Sequence, residues 1–274
     1  MLKLSDIKKL IRSKSLDYVR NARLGAYSDD LKTYHWKGHK VRYRAGKADA
    51  GALYEILIRP SVILRPNKFL FKKKKLEYWI PPEVDPKVIL DIGGNIGTTT
   101  VYYSHMFPAA KIYTFEPVKS NYEILKLNTS ELPNVNTYNV GLSDKNETAE
   151  IFMCEDHDNP GGFSMFNLGV DKSKKEAITV KNSRTYLEEL GIDKVDLIKI
   201  DTEGSEYNIL TTMDPEILSN VRWIIGELHG ERDFELLAYL SQWFDIDMKK
   251  SLRSRLFNFC ARNKKCADTI PWKY

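Results

Sequence analysis

Cysteine is scarce in this sequence and lacks the spacing that would give it a role. Cys154, Cys260 and Cys266 are odd in number and form no C-x-x-C pair, which speaks against a disulfide framework or a thiolate zinc site and points to free thiols in a reducing, cytoplasmic setting. No apolar run approaches the ~18–20 residues needed to span a bilayer, and the charges that begin at Lys3 leave no signal-peptide core. Repeats, low-complexity segments and polybasic tails are absent as well. The net charge of +5 comes from scattered lysines. Nucleic acid is therefore not an expected partner, whereas a small molecule or glycan, neutral or anionic, is.

What is present is an ordinary globular composition, 42% hydrophobic and 29% charged in 274 residues, enough for one large domain or one domain with an attachment. Leu4, Ile7, Leu10, Ile11 and Val19 recur at near-helical intervals among lysines, which predicts an amphipathic helix over 2–19. Such a helix packs on its own domain, on a second subunit of a homo-oligomer, or on an anionic membrane surface as a peripheral contact. HWKGHKVRYRAG reads as a hairpin around Gly38, and ADAGALYEILIRPSVIL as a short helix followed by a strand. The lysines at 72–75 form a solvated edge or receive an acidic substrate. Pro81-Pro82 breaks the chain, and we divide it there into an α+β extension, residues 1–80, and a main domain, residues 81–274.

Beyond that break, strands alternate with helices. VILDIGGNIG (88–97) opens the series; AKIYTFEP, VDLIKID and RWIIGELHG are further strands, VNTYNVGLSD is a strand running into a polar loop, TAEIFM and ITVKNS are strands flanking HDNPGGFSMF, and FDIDM and FNFCARN close it. The alternation predicts a doubly wound, mostly parallel α/β sheet, with ligands beyond the carboxyl ends of its strands. HDNPGGFSMF, with two glycines beside Phe163, is expected to be a mobile lid.

The turn after the first of these strands has the spacing Asp91-x-Gly93-x-Asn95-x-Gly97. This is not the G-x-G-x-x-G that seats a pyrophosphate, and it suits a ligand without phosphate there, such as an amino-acid head group held by a carboxylate and backbone N–H groups. A nicotinamide-dependent oxidoreductase, the alternative on the same sheet, should carry the missing glycine pattern. Glu116 ends the next strand roughly 20 residues on, where a carboxylate accepts both hydroxyls of a ribose; Asn139 and Gly141 follow the third strand, where the backbone could border an adenine. KIDTEGSE crowds Lys199, Asp201, Glu203 and Glu206 into one strand end, with Thr202 or Ser205 available to cap the next helix. Glu227 and His229, two apart on a strand, point the same way and give a histidine with a carboxylate partner, the arrangement of a general base.

In VILDIGGNIG, the FEP of 115–117, the GLSD of 141–144, KIDTEGSE and the ELH of 227–229, all in this order, the chain resembles the FkbM family of S-adenosylmethionine-dependent O-methyltransferases. The resemblance covers roughly residues 42–263 and implies a Rossmann-like, seven-stranded methyltransferase sheet. It further implies Asp91, Gly93, Asn95 and Gly97 around the methionine end of the cofactor, Glu116 on its ribose, and Asp201, Glu227 and His229 facing an acceptor that is a saccharide hydroxyl, free, nucleotide-linked or lipid-linked. His229 would remove the proton, oriented by Glu227, with Asp201 holding the hydroxyl; alternatively Asp201 and Glu227 share a divalent cation, magnesium or manganese. NSRTYLEEL (182–190) departs from the family in lacking a Leu-Asp at the helix start. A non-catalytic binding protein on the same scaffold would have lost the acids of the fourth and fifth strands, which are present here.

Overall fold

A computed structural model describes residues 4–23, 28–59, 78–154, 163–164, 170–250 and 257–272. The opening amphipathic pattern folds as two helices, α1 (Leu4–Ser13) and α2 (Leu16–Asn21), where periodicity alone predicts one. Lys14 takes a left-handed φ of 53° and Ser15 accepts the backbone N–H of Tyr18, so the second helix is capped anew. Strands β1 (Ser28–Trp36) and β2 (His39–Ala45) form the expected hairpin, with Lys37 and Gly38 both at positive φ in its two-residue turn. The expected short helix is α3 (Lys47–Leu53), continued by a π-helical turn at Tyr54–Ile58; the end of that stretch, residues 60–64, lies outside the described residues. Leu53, Ile56, Leu57 and Ile58 are all buried. The lysine run at 72–75 lies outside the described residues.

After Pro81 the order is β3 (Val88–Ile92), α4 (Thr98–Met106), β4 (Lys111–Phe115), α5 (Lys119–Thr129), β5 (Val135–Tyr138), β6 (Gly141–Ser143), β7 (Glu147–Cys154), β8 (Phe163–Ser164), β9 (Val170–Asn182) and α6 (Ser183–Glu189). It continues with β10 (Leu197–Ile200), α7 (Glu206–Thr212), α8 (Pro215–Asn220), β11 (Trp223–Leu228), α9 (Asp233–Leu240), β12 (Phe244–Lys250) and β13 (Phe257–Asn263). Among the described residues the main sheet has seven strands in the order β12-β13-β11-β10-β3-β4-β5, all parallel except β13. Ile89, Leu90, Ile112 and Ile198 are fully buried in its centre, as a parallel sheet covered on both faces requires. Each such side chain is worth roughly 1.5–3 kcal/mol against leaving it in water.

Two departures from the sequence reading matter for the site. VNTYNVGLSD starts as the expected strand, β5 of the main sheet, but where a polar loop is expected Gly141–Ser143 forms β6, which joins a second sheet of order β6-β9-β7-β8. The segments read as TAEIFM and ITVKNS are the antiparallel pair β7 and β9 of that second sheet, whose Ile151, Ile178 and Val180 cluster with Val118. Most of HDNPGGFSMF lies outside the described residues; its Phe163–Ser164 pairs with β7. The N-terminal segment packs on the main sheet through one apolar cluster that joins Tyr18, Trp36 and Leu57 to Ile89, Ile112 and Trp223. Asn128 of α5 ties the two by accepting the N–H of Arg42 and donating to the carbonyls of Arg42 and Ile96.

Candidate active site

Strand order reverses between β3 and β10, and the crevice at their carboxyl ends is where the glycine turn emerges. Gly93 has a φ of 78°, and a Cβ on it would run into the carbonyl oxygen of Asp201, so only glycine lets the turn lie this close to the end of β10. The N–H groups of Gly93 and Gly94 both donate to the carbonyl of Phe115 at 3.0 Å, which hooks the turn onto the end of β4. Asn95, at φ 48°, donates its N–H to Glu116 Oε2 at 2.8 Å, and Val118 donates its own to Oε1 at 2.9 Å. Glu116 is buried. Burial pushes its pKa up to about 7, against the pull of those two N–H groups and of Lys199.

A cleft opens beside this turn, at the carboxyl ends of the strands where such sheets bind their ligands. Of the residues expected on the cofactor, Gly93, Asn95, Glu116 and Gly141 line it, and Asp201 and Glu203 form its acidic end. Asp91, Gly97 and Asn139 are placed elsewhere. Asp91 is fully buried, accepts from Thr100 Oγ1 at 2.6 Å and lies 3.3 Å from Lys199 Nζ. Lys199 in turn donates to the carbonyl of Gly93 at 2.5 Å. The pair therefore braces the turn from behind. Burial pulls the Lys199 ammonium down, but Asp91 and Asp201 outweigh it and hold its pKa above the usual lysine value. Gly97 is the N-cap of α4, against Leu125. The Asn139 amide donates to the carbonyls of Glu116 and Pro117 at 2.9 and 3.0 Å, which fixes the chain where it leaves β4.

The acidic end is built around His229, whose side chain is 6% exposed. Its Nδ1 lies 3.3 Å from Glu206 Oε1; its Nε2 lies 3.3 Å from Glu227 Oε2, 3.7 Å from Glu203 Oε2 and 3.9 Å from Asp201 Oδ1. Glu227 and His229 do share a side, as their spacing requires. Burial lowers the histidine's pKa, but the hydrogen bonds to Glu206 and Glu227 and the charges of Asp201 and Glu203 outweigh it and raise it to about 11. These contacts favour the protonated ring of His229, an imidazolium, over the neutral one.

The carboxylates divide by environment. Glu206 is fully buried and accepts from the Thr202 N–H, the Thr202 hydroxyl and the Gly204 N–H at 2.9, 3.0 and 3.3 Å. Burial works against its charge, but His229 and these donors win and its pKa falls below the usual value. Ser205 is the N-cap of α7, but its side chain makes no capping bond; its Oγ is buried in the cleft lining with no hydrogen-bond partner among the described residues. Asp201 accepts from the Tyr78 hydroxyl at 2.8 Å, and Glu227 from Asn258 Nδ2 at 2.8 Å. Asp201 is pushed up, by burial first and by Glu227. Glu203, at φ 56° on the turn, is raised to about 7 by burial and by the neighbouring acids, against the pull of His229. Its candidacy is visible in the sequence only as crowding; Tyr78, contributed from before Pro81, carries no sequence signal.

Residues 91–258 match the Methyltransferase FkbM domain. The chain belongs to the FkbM methyltransferase family, whose methyl donor is S-adenosylmethionine. It is 27% identical over 172 residues to Methyltransferase 1 of Beauveria bassiana, covering 55% of this chain and 68% of that one. It is 25% identical to the 2-O-methyltransferase NoeI of Sinorhizobium fredii, covering 55% and 66%, and 26% identical to the AMB antimetabolite synthetase AmbE of Pseudomonas aeruginosa, covering 56% and 9%. The matched region thus spans about two thirds of the first two proteins and less than a tenth of the synthetase. Among solved structures, a putative methyltransferase from Streptococcus mutans in complex with SAH overlaps 65% of this chain and 88% of its own, at 12% identity and a TM-score of 0.41.

Proposed function

We propose that this chain transfers the methyl group of S-adenosylmethionine to a hydroxyl of a saccharide or glycoconjugate, free, nucleotide-linked or lipid-linked. The observation that supports this most is adjacency: the glycine-turn cleft ends directly on Asp201 and Glu203, carboxylates whose pKa values are raised toward neutrality. The likeness to a 2-O-methyltransferase adds to it.

The cleft fits the cofactor. Gly93 leaves one wall free of a side chain, Glu116 keeps a lone pair beyond the bonds it accepts from Asn95, Val118 and Asn121, and the buried hydroxyl of Ser205 has no partner among the described residues. Gly93, Asn95, Glu116 and Gly141 would hold it, with Glu116 on the ribose. When bound, it supplies a methyl group already activated by a positively charged sulfur. The protein's own part is to align the hydroxyl, exclude water and take up a proton. Glu203 suits the last task, because a carboxyl with a pKa of about 7 is partly ionised at neutral pH and its side chain, 42% exposed, is the most open of the four acids around His229. Asp201, steadied by Tyr78, orients the hydroxyl. His229, fixed by Glu206, holds positive charge among the acids so that they do not all take up protons. A sugar hydroxyl ionises far above neutrality, so its proton leaves late in the transfer.

Four acids against one imidazolium leave this side negative. Neutral hydroxyls therefore face Asp201 and Glu203, and any phosphate on the acceptor lies away from them. A second reading rests on one measurement: ligand atoms of Asp201, Glu227 and His229 all lie within 4.8 Å of one another. Magnesium or manganese held there would lower the hydroxyl's pKa, and His229 would have to give up a ring proton to join. A cytoplasmic location belongs to the same proposal and rests on the scarcity of cysteine.

Incubation with labelled S-adenosylmethionine and a panel of nucleotide sugars and glycans tests the assignment, and label in a saccharide ether is the expected result. Calorimetric binding of NAD in place of S-adenosylmethionine would overturn it. Full activity in a chelator would leave the imidazolium reading standing; activity lost in chelator and restored by magnesium or manganese would replace it with the metal.

A further inference from the structure

Helix α1 has three faces rather than two. Asp6 and Ser13 are buried and Leu10 packs on the apolar cluster that joins the N-terminal segment to the main sheet. Ile7 and Ile11, one turn apart on a neighbouring face, are 43% and 70% exposed, and Leu16 at the start of α2 is 43% exposed. The third face carries the exposed Lys8 and Arg12, with Lys9 beside them. Lys9 and Arg12 lie over the Tyr54 ring, and Arg12 also donates to its hydroxyl at 2.5 Å, so this face is fastened to the fold. A helix whose purpose were only to cover the core would place charge where Ile7 and Ile11 stand.

Charge decides what covers them. The segment 4–23 holds six basic residues, Lys8, Lys9, Arg12, Lys14, Arg20 and Arg23, against Asp6 and Asp17, a surplus of four in a chain whose whole net charge is +5. An apolar stripe bordered by lysines is complementary to a surface that is apolar just beneath a negative layer. A second copy of this chain would bring the same positive charge to the contact and repel it. We propose that α1 and the start of α2 seat the protein on an anionic phospholipid bilayer, with Ile7, Ile11 and Leu16 entering the acyl boundary and Lys8 and Lys14 meeting the headgroups. This lies beyond the methyl-transfer reading and does not depend on it.

The test is co-sedimentation of the full chain with vesicles of phosphatidylcholine alone or with a third of the lipid replaced by phosphatidylglycerol. Sedimentation with the anionic vesicles only, reversed by salt, is expected. The double variant Ile7→Gln, Ile11→Gln changes only exposed side chains and should melt like the parent, while its vesicle affinity falls by roughly ten-fold or more, the scale for withholding two such side chains from an apolar phase. Failure to bind anionic vesicles overturns the proposal, as does equal binding by the variant. So does a parent dimer in sedimentation velocity that the variant converts to monomer, because the stripe would then be a contact between copies.

Discussion

The two halves of the cleft manage buried charge in opposite ways. On the cofactor half the acids are answered by fixed donors: Glu116 by the N–H groups of Asn95 and Val118, Asp91 by Thr100 and Lys199. On the acceptor half, Asp201, Glu203, Glu206 and Glu227 all look toward one imidazole, and each protonation state depends on the others. Backbone donors do not titrate, so on the first half Glu116, raised to about 7, changes charge against partners that keep theirs. The second half is set by a proton balance, which suits it to accept one.

If that contrast is correct, the largest effect belongs to the group left poised. Glu203→Gln should lower turnover on the order of 10²–10⁴-fold, the usual contribution of a positioned base, with S-adenosylmethionine binding unchanged. The parent rate should rise with pH through about 7 as Glu203 ionises, and that limb should vanish in the variant. A rate–pH profile of unchanged shape in Glu203→Gln would move the role to Asp201.

Next in size is His229→Ala, which leaves acids buried without their cation and should cost about 3–5 kcal/mol in urea unfolding near pH 7, the scale for breaking a buried pair. The sign with pH follows from a folded pKa of about 11 against an ordinary 6.5. The stability this histidine adds is complete below about 6.5, declines as pH rises and is gone above about 11. Glu203 and Glu116, each raised from 4.5 to about 7, add a second loss as pH rises through that interval. The parent should therefore unfold more readily at pH 9 than at pH 6, and His229→Ala should narrow the difference. A variant as stable as the parent at both values would mean that His229 is not charged.

On the quieter half, Glu116→Ala should weaken S-adenosylmethionine by about 1–3 kcal/mol in calorimetry, the scale for a charged acceptor. Because Glu116 also receives the N–H groups of Asn95 and Val118, part of that loss reflects a loosened turn. Affinity equal to the parent's would remove it from the site.

The sequence reads well on the half governed by backbone and poorly on the half governed by mutual charge. Strand, glycine turn and helix follow from spacing, because Gly93 must be glycine whatever binds. Which way Asp91 points does not follow: strand periodicity gives two faces and cannot say that Lys199, from a strand far along the chain, waits on one of them. The protonation of His229 is hidden for the same reason. Glu227 is two residues away and visible; Glu206, which holds the other ring nitrogen, sits on a different element. The chain also passes from one sheet to the other between Tyr138 and Gly141, where the sequence reads as a strand running into a polar loop, and Lys14 divides a helix that periodicity leaves whole.

The smallest expected effect tests where the two halves of the cleft end. In the sequence Asn139 stands where an adenine could be bordered, whereas its amide is spent on the carbonyls of Glu116 and Pro117. Those carbonyls are only partly buried, so water can replace the amide, and Asn139→Ala should lower stability by about 1 kcal/mol, the net worth of a hydrogen bond. Cofactor affinity should then change by less than about three-fold, because the cleft is lined by Gly141 and Glu116 and not by this side chain. The alternative gives the opposite pattern: an Asn139 that touches the base would leave the melting temperature unchanged and weaken S-adenosylmethionine roughly ten-fold or more. Measuring melting and affinity on the same variant separates a residue that holds the wall from one that holds the ligand.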